Sequence, residues 1–291
     1  MNVCQTGDWL ARATGLLKDS QVPSAHLDAL ILLEDALKKD RAYLLAHPET
    51  PVRGATLEML EKQLLRRSTH EPLAYIRGRS EFYGRNFQVS PATLQPRPET
   101  ETMITELKNM LEHKNSFSGV RSQKTGGGVV IADLGTGSGA IAITAKLELP
   151  KTIVHATEIL PESLAIAHKN AKDLGANVAF YEGNLLEPLY DVEIDIILAN
   201  LPYVPSGHTI NEAAMQEPAV AIFGGKDGLD LYRKMFRQIS LLRQQPSHIL
   251  TESLPFQHKP LAKIAQKAGY AMQQREDFIQ VFLANKPGLL A

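Results

Sequence analysis

The stretch Asn200-Leu201-Pro202-Tyr203 follows an apolar run at 196–199 and combines residue types that suit a planar –NH2 nucleophile. The lone pair of an amide or aromatic amine is delocalised, so its nitrogen attacks a methyl group poorly. Two fixed acceptors, the Asn200 side-chain oxygen and the Leu201 carbonyl, would orient both N–H bonds and raise the electron density on nitrogen. Pro202 restrains the backbone of Leu201, and Tyr203 adds a flat face. We predict that these four residues form a catalytic loop; a proline-rich turn that only ends a strand is the alternative.

The segment 133–139, Asp-Leu-Gly-Thr-Gly-Ser-Gly, lies between an apolar run and a helical pattern, and its glycines permit a ligand to approach the backbone closely. It is not a Walker loop, because no Gly-Lys-Ser/Thr follows, and Ala140 occupies the last position of the dinucleotide fingerprint. The spacing G-x-G-x-G is the form commonly met in S-adenosylmethionine sites. The predicted cofactor contacts in this loop are Gly135, Thr136, Gly137, Ser138 and Gly139.

Three later strand ends carry side chains that suit the same cofactor. Glu158 ends the second predicted strand, where an acid can accept hydrogen bonds from both ribose hydroxyls. Asn184 follows the third strand and is placed to meet the adenine amino group, while Leu185 covers the adenine face. Asn200 follows the fourth strand and is expected beside the reacting methyl group. This order of strand ends favours S-adenosylmethionine, with a nicotinamide cofactor as the minor alternative.

The elements that must position these residues alternate between strands and helices from Val129 onward. Apolar runs predict strands at 129–135, 152–158, 177–183, 194–200 and 247–253, and one or two closing strands in 271–285. A helical pattern at 161–175 lies between two of them. The alternation predicts an α/β fold with a Rossmann-like, mostly parallel sheet and an antiparallel C-terminal strand. In such a sheet, ligands bind beyond the carboxyl ends of the strands.

The first part of the chain has a different character. Residues 1–75 are predicted to contain helices only, because apolar residues recur there with helical spacing, as in 56–67. The aromatic and glycine-containing stretch 81–91 predicts a β-hairpin, and the polar stretch 114–128 predicts a flexible loop. The predicted division is a helical N-terminal domain at 1–78, a hairpin linker at 79–96 and a domain at 97–291 that carries the predicted cofactor site and methyl transfer.

Composition argues against several classes of protein. The net charge of −1 provides no basic excess for nucleic acid, and the single cysteine, Cys4, cannot form an intrachain disulfide or a cysteine-metal cluster. None of the nine histidines shows a metal-ligand spacing, so no metal is expected. No apolar run is long enough to span a bilayer, and the N-terminus lacks the character of a signal peptide. We expect a monomeric cytoplasmic protein with no direct nucleic-acid or membrane contact.

Longer segments resemble one family of methyltransferases. The run 132–143, then Glu158, then 199–204 resemble class I methyltransferases with an Asn-Pro-Pro-Tyr motif. Segments 71–101 and 217–235 resemble the linker and the post-loop segment of the HemK/PrmC release-factor glutamine methyltransferases. The stretch Pro-Ser-Ala-His-Leu-Asp-Ala-Leu near the N-terminus is similar to part of their helical domain. The resemblance runs over most of the chain.

This resemblance implies a concrete activity. Enzymes of this family use S-adenosylmethionine to methylate the side-chain amide nitrogen of the glutamine in the Gly-Gly-Gln loop of class I peptide-chain release factors. By position, the loop 135–139, Glu158, Leu185 and Asn200 would line the cofactor site, and residues 200–203 would hold the glutamine. The helical N-terminal domain would help to hold the release factor.

Two positions depart from the family pattern. Leu201 stands where the motif usually has its first proline, and Asn184 stands where an acid is usual. Leu201 keeps its carbonyl and precedes Pro202, so we expect activity to be retained. Asn184 can accept a hydrogen bond from adenine only without charge assistance, so we expect weaker cofactor binding.

Three other functions stay open from the residues alone. A sister enzyme that methylates a glutamine of a ribosomal protein would use identical chemistry. An adenine-N6 nucleic-acid methyltransferase is a second alternative, since Asn-Leu-Pro-Tyr itself occurs in rRNA adenine dimethylases. A cofactor-binding module without activity is the third. The stretch 96–101 favours a release factor as the substrate, and the near-neutral net charge argues against an RNA substrate.

Overall fold

A computed structural model describes residues 3–112, 128–210 and 212–285 of the 291-residue chain. These residues group into two compact units. Unit 1 is Met1–Arg79 together with Ile210–Gln216, and unit 2 is Ser80–Thr209 together with Glu217–Ala291. The predicted flexible loop at 114–128 lies outside the described residues except for Gly128.

Unit 1 packs helices around a tryptophan. Its helices are α1 (Thr6–Asp19), α2 (Ala25–Leu37), α3 (Arg41–Ala46), α4 (Gly54–Ser68) and α5 (Leu73–Arg77). Trp9, Leu33 and Leu60 contribute to one buried apolar cluster, because residues at helical spacing place the apolar face of each helix inward. The Trp9 indole N–H donates to Glu61 Oε1 at 2.8 Å, which satisfies its polar atom.

The prediction that residues 1–75 contain helices only is wrong at two short strands. Strands β1 (Val3–Gln5) and β2 (Pro51–Arg53) pair antiparallel, with Cys4 opposite Val52. Each strand has three residues, which is too few to show the alternation that predicts a strand in the sequence. Val52 is buried between exposed neighbours and belongs to the apolar cluster of the unit, so β2 contributes to the helical core.

The predicted β-hairpin is present as β3 (Arg79–Phe82) and β4 (Arg85–Gln88). Tyr83 and Gly84 connect the strands with φ angles of 51° and 71°. Two successive left-handed residues are the signature of a type I′ turn, whose twist matches that of paired strands. The hairpin residues Phe82 and Phe87 lie edge to face, with ring centroids 6.1 Å apart, and pack into the core of unit 2.

Unit 2 carries a seven-stranded sheet. Its strands are β5 (Val130–Leu134), β6 (Ile153–Glu158), β7 (Ala179–Glu182), β8 (Ile196–Ala199), β9 (His248–Glu252), β10 (Tyr270–Glu276) and β11 (Ile279–Ala284). The spatial order is β10-β11-β9-β8-β5-β6-β7. Strands β9, β8, β5, β6 and β7 run parallel to one another, and β11 runs antiparallel to both β9 and β10. The predicted fold class is confirmed.

Both faces of this sheet are covered. The helices of this unit are α6 (Glu101–Glu112), α7 (Ala140–Glu148), α8 (Pro161–Leu174), α9 (Ala219–Ile222), α10 (Asp230–Ile239) and α11 (His258–Lys267). Along β8, Ile196 and Leu198 belong to one apolar cluster, while Ile197 and Ala199 belong to a second. Successive side chains of a strand point to opposite faces, which explains why this strand is a continuous apolar run in the sequence. None of the helices in the described ranges has the length and apolar character needed to cross a bilayer.

Candidate active site

A cavity opens at the carboxyl ends of strands β5, β6, β7 and β8, the edge at which parallel sheets bind ligands. Its empty volume is about 790 Å³, the part open to solvent included. The predicted site residues that line it are Gly135, Gly137, Glu158, Asn184, Leu185, Asn200, Leu201 and Pro202. The other predicted residues, Thr136, Ser138, Gly139 and Tyr203, are not part of the lining. The fold therefore brings residues from four separate strand ends together.

The glycine loop after β5 needs glycine for two different reasons. Gly135, Gly137 and Gly139 have φ angles of 70°, 55° and 82°, a region that side-chain-bearing residues rarely adopt. A Cβ atom on Gly139 would also lie 2.7 Å from the Ile143 side chain of α7 and 3.2 Å from the Cβ of Ala167 in α8, so this glycine lets the start of α7 lie close to α8. Gly135 and Gly137 lie on the cavity itself, where the bare backbone admits a ligand.

Asp133 lies fully buried beneath this loop. Its Oδ2 accepts a hydrogen bond from the Thr136 hydroxyl at 2.6 Å. Burial raises the pKa of Asp133 to about 7, because the low-dielectric surroundings disfavour the charged form. Thr136 thus holds the loop from inside the protein, which accounts for its absence from the cavity lining. Sequence reasoning assigned no role to Asp133.

Glu158, the last residue of β6, is held by three backbone amides. Its Oε2 accepts from the Gly137 N–H at 2.8 Å, and its Oε1 accepts from the N–H groups of Ile159 and Leu160 at 2.9 and 3.0 Å. A carboxylate offers about four acceptor sites, so the backbone fixes its orientation and leaves roughly one site for a ligand in the cavity. The prediction that Glu158 accepts from ribose hydroxyls stays a prediction.

Asn184 and Leu185 reach the cavity through a turn after β7. Leu185 has a φ of 58°, a strained value for leucine that persists only where the surroundings impose it. The buried Gln238 imposes it from the neighbouring helix. Its Nε2 donates to the Asn184 carbonyl at 3.2 Å, and its Oε1 accepts from the Leu186 N–H at 3.0 Å. A strained backbone held in this way is typical of ligand-binding turns.

The catalytic loop begins directly after β8. The Asn200 Nδ2 group donates to the Thr100 hydroxyl at 3.0 Å. Leu201 is 2% exposed, packs in the apolar cluster and donates its N–H to the Tyr232 hydroxyl at 3.3 Å. Because Pro202 follows, the Leu201 backbone is restrained from both sides. Asn200, Leu201 and Pro202 all line the cavity, and their catalytic roles stay predictions.

Tyr203 lies outside the lining of this cavity, and the flat face that it would offer to the ligand stays a prediction. Its hydroxyl donates to Glu252 Oε1 at 3.0 Å, and its carbonyl accepts from Gln257 Nε2 at 2.7 Å. Burial beside the Glu252 carboxylate raises the pKa of the Tyr203 hydroxyl, so this group stays protonated and acts as a donor. The contacts of Tyr203 therefore tie the loop to the end of β9.

Sequence reasoning missed three residues of this site. Glu252 ends β9 and accepts from Tyr203 and from the Thr100 hydroxyl, the latter at 2.7 Å. Burial raises the pKa of Glu252, while these hydroxyls lower it. The Tyr232 hydroxyl donates to the backbone carbonyl of Glu252 and bridges β8 and β9. The only signal in the sequence was an acid at the end of a predicted strand neighbouring β8.

In the part of the chain that the structure describes, no group of three or more histidine, cysteine, aspartate or glutamate side chains is placed to hold a metal ion.

The strand order and the strand-end cavity define a class I methyltransferase fold. The hMettl16 catalytic domain, solved in complex with a 3′-UTR hairpin, superposes with a TM-score of 0.54 over 87% of this chain and 95% of that chain. Its sequence is 13% identical, so the likeness concerns the fold alone.

Sequence comparisons identify the family. Residues 8–78 match the family model of the PrmC N-terminal domain, and residues 121–220 match that of the methyltransferase small domain. The release factor glutamine methyltransferase of Koribacter versatilis is 37% identical over 227 residues, which is 77% of either chain. That of Geobacter sulfurreducens is 36% identical over 232 residues, 78% of this chain and 75% of the relative. The chain belongs to the release factor glutamine methyltransferase family, and the resemblance seen in its motifs is confirmed.

Proposed function

We propose that this protein transfers a methyl group from S-adenosylmethionine to the side-chain amide nitrogen of the glutamine in the Gly-Gly-Gln loop of class I release factors. Membership of the family supports the reaction and the substrate. The observation that carries the proposal is the meeting of Asn200 and Leu201 with the glycine loop and Glu158 in one cavity. The protein acts in the cytoplasm as a monomer, takes the release factor as its protein partner and makes no direct contact with nucleic acid.

The cavity fits the cofactor in the chemistry of its lining. Gly135 and Gly137 present backbone without side chains, as a close-lying amino-acid group and ribose require. Glu158 would accept from the ribose, Asn184 from the adenine amino group, and Leu185 would cover the adenine face. When bound, S-adenosylmethionine supplies an electrophilic methyl group. Thr136, Ser138 and Gly139 belong to the same loop, and their predicted contacts with the cofactor stay predictions.

The substrate amide is held by acceptors. Asn200 Oδ1 and the Leu201 carbonyl would each accept one N–H of the glutamine side chain, which fixes the plane of the amide and raises the electron density on nitrogen. Pro202 limits the freedom of the Leu201 backbone, and Tyr203 anchors the loop through Glu252. Catalysis then rests on positioning and electrostatics, and no strong base is needed. Unit 1 helps to hold the release factor.

The direct test is a transfer assay with the purified full chain, labelled S-adenosylmethionine and a release factor, followed by mass spectrometry of the product. We expect a single methyl group on the Gly-Gly-Gln glutamine. In the Asn200→Ala variant this methyl group should be lost, because one of the two acceptors is gone, while calorimetry should still detect cofactor binding.

An unmethylated release factor in the presence of intact cofactor binding would contradict the proposal. The same assay with ribosomal proteins and with RNA would then separate the two alternative substrates from a module without activity. A methyl group on another residue of the release factor would contradict the role given to the Gly-Gly-Gln glutamine.

A further inference from the structure

A chain of hydrogen bonds links a buried carboxylate to the proposed catalytic asparagine. Glu252 is 1% exposed, and its Oε2 accepts from the Thr100 hydroxyl at 2.7 Å and its Oε1 from the Tyr203 hydroxyl at 3.0 Å. The Asn200 side chain is also a direct hydrogen-bonding partner of this carboxylate. The Thr100 oxygen in turn accepts from Asn200 Nδ2 at 3.0 Å. The chain therefore ends at the side chain that would hold the substrate amide.

The number of protons on Thr100 sets the direction of this chain. Burial raises the pKa of Glu252, and above that pKa the group is a carboxylate without a proton. The Thr100 hydroxyl, which carries one proton, then donates to Glu252 and has only acceptor sites left for Asn200. The Asn200 amide must then turn its NH2 group toward Thr100. Rotated by half a turn, Asn200 Oδ1 would face a lone pair of the Thr100 oxygen, which is repulsive. The shape of the amide by itself does not distinguish these two orientations.

We propose that Glu252 is a positioning residue, which acts directly and through Thr100 to keep Asn200 Oδ1 directed away from both residues as an acceptor for the substrate amide. This inference rests on the proposed function, because it concerns the same glutamine nitrogen. In the reverse orientation Asn200 would present its own NH2 group to the NH2 group of the glutamine. Neither group could accept, and the glutamine nitrogen would lose one of its two fixed partners.

The surroundings keep the two relaying residues in place. Thr100 closes a single helical turn that follows Arg97, whose Nη2 contacts both carboxylate oxygens of Glu217 at 2.8 and 2.9 Å. Glu252 is tied down by the Tyr232 hydroxyl, which donates to its backbone carbonyl. A buried carboxylate is costly, and an apolar side chain of similar size would often be less so. An acceptor-only group is needed here because it forces the Thr100 proton away from Asn200.

Kinetics with a matched pair of variants test the positioning role. Thr100→Val keeps the shape of the side chain and removes its hydroxyl, whereas Thr100→Ser keeps the hydroxyl. We expect the valine variant to lose at least about tenfold in kcat for release-factor methylation, since a fixed acceptor is lost in the transition state. Its KM and Kd for S-adenosylmethionine should stay within about twofold of wild type. The serine variant should stay within about threefold in kcat.

Nuclear magnetic resonance of the Asn200 side chain tests the same hydrogen-bond chain without an activity assay. In protein labelled with nitrogen-15 asparagine, the side-chain NH2 signals of Asn200 are identified by their absence in Asn200→Asp. We expect these signals to move in Thr100→Val and in Glu252→Met, where Thr100 loses its acceptor, and to be unchanged in Thr100→Ser. This readout stays decisive if the release factor is not methylated and the proposed function fails. Unmoved Asn200 signals in both variants, or a wild-type kcat in Thr100→Val, would overturn the positioning role.

Discussion

We expect Asn184 to determine how strongly the cavity binds the adenine of the proposed cofactor. Its side chain lines the cavity, and an amide oxygen accepts without charge assistance. We predict that Asn184→Asp lowers the Kd for S-adenosylmethionine by about 3- to 10-fold, because a charged acceptor strengthens the hydrogen bond by about 1 kcal/mol. Isothermal titration calorimetry measures the change directly.

Asn184→Ala is the matched control, because it removes the acceptor and should raise the Kd. A Kd in Asn184→Asp equal to or above the wild-type value would show that this side chain does not meet the adenine amino group. An unchanged Kd in both variants would indicate that the adenine binds at another part of the cavity lining.

The positions of single site residues could be predicted where a general property of parallel sheets brings the residues together. The carboxyl ends of parallel strands share one edge, so Glu158, Asn184 and Asn200 could be placed near one cavity from the sequence. Thr100 and Glu252 could not, because they are 152 residues apart and meet only through the packing of the segment before α6 on β9. The position of Tyr203 outside the cavity lining could not be predicted either, because it depends on the contact of Tyr203 with Glu252.

The catalytic loop is an element whose stiffness can be tested at Leu201. We predict that Leu201→Pro keeps methylation within about tenfold of wild type, because the carbonyl that would hold the substrate remains. The variant should lose about 1–3 kcal/mol of unfolding free energy, since proline cannot donate to the Tyr232 hydroxyl and fills less of the apolar cluster. Transfer assays and urea unfolding measure the two effects.

Leu201→Ala separates the two causes, because it keeps the N–H and removes the apolar side chain. It should lose less stability than would follow from both effects together. Complete loss of methylation in a folded, cofactor-binding Leu201→Pro protein would contradict the view that the carbonyl at position 201 is what the substrate needs.

Elements were predictable in proportion to their length and to their turn chemistry. The buried run of β8 and the turn at Tyr83 and Gly84 each carry a strong local signal. β1 and β2 carry none, because three residues cannot display a period and their pairing joins positions far apart in the chain. They form because the helical core of unit 1 buries Val52, which is a tertiary cause.

On the scale of the whole molecule, the division into units is not a simple cut of the chain. Ile210–Gln216 groups with the N-terminal residues, where His70 pairs with Glu212 at 2.8 Å and Gln216 Nε2 donates to the Thr69 carbonyl at 2.8 Å. A prediction from composition and periodicity divides a chain into consecutive segments. It therefore could not show that seven residues from the second half of the chain pack with the N-terminal unit. The boundaries 1–78, 79–96 and 97–291 therefore stay a prediction of consecutive domains.

Asp133 makes the stability of the whole fold depend on pH. Its pKa is about 7 in the folded protein, against about 4 in an unfolded chain, so between these values only the folded state binds the proton. The unfolding free energy contributed by this group therefore falls as the pH rises from about 4 to about 7, by up to roughly 4 kcal/mol, and is constant above that window.

Other groups titrate over the same range, so the comparison must be with Asp133→Asn, which can still accept from Thr136 and carries no titrating proton. Urea unfolding followed by circular dichroism should show the wild type losing stability relative to Asp133→Asn as the pH is raised. A difference between the two proteins that does not change with pH would mean that the buried carboxyl is already ionised throughout, and that Thr136 and the neighbouring helix terminus stabilise its charge in full.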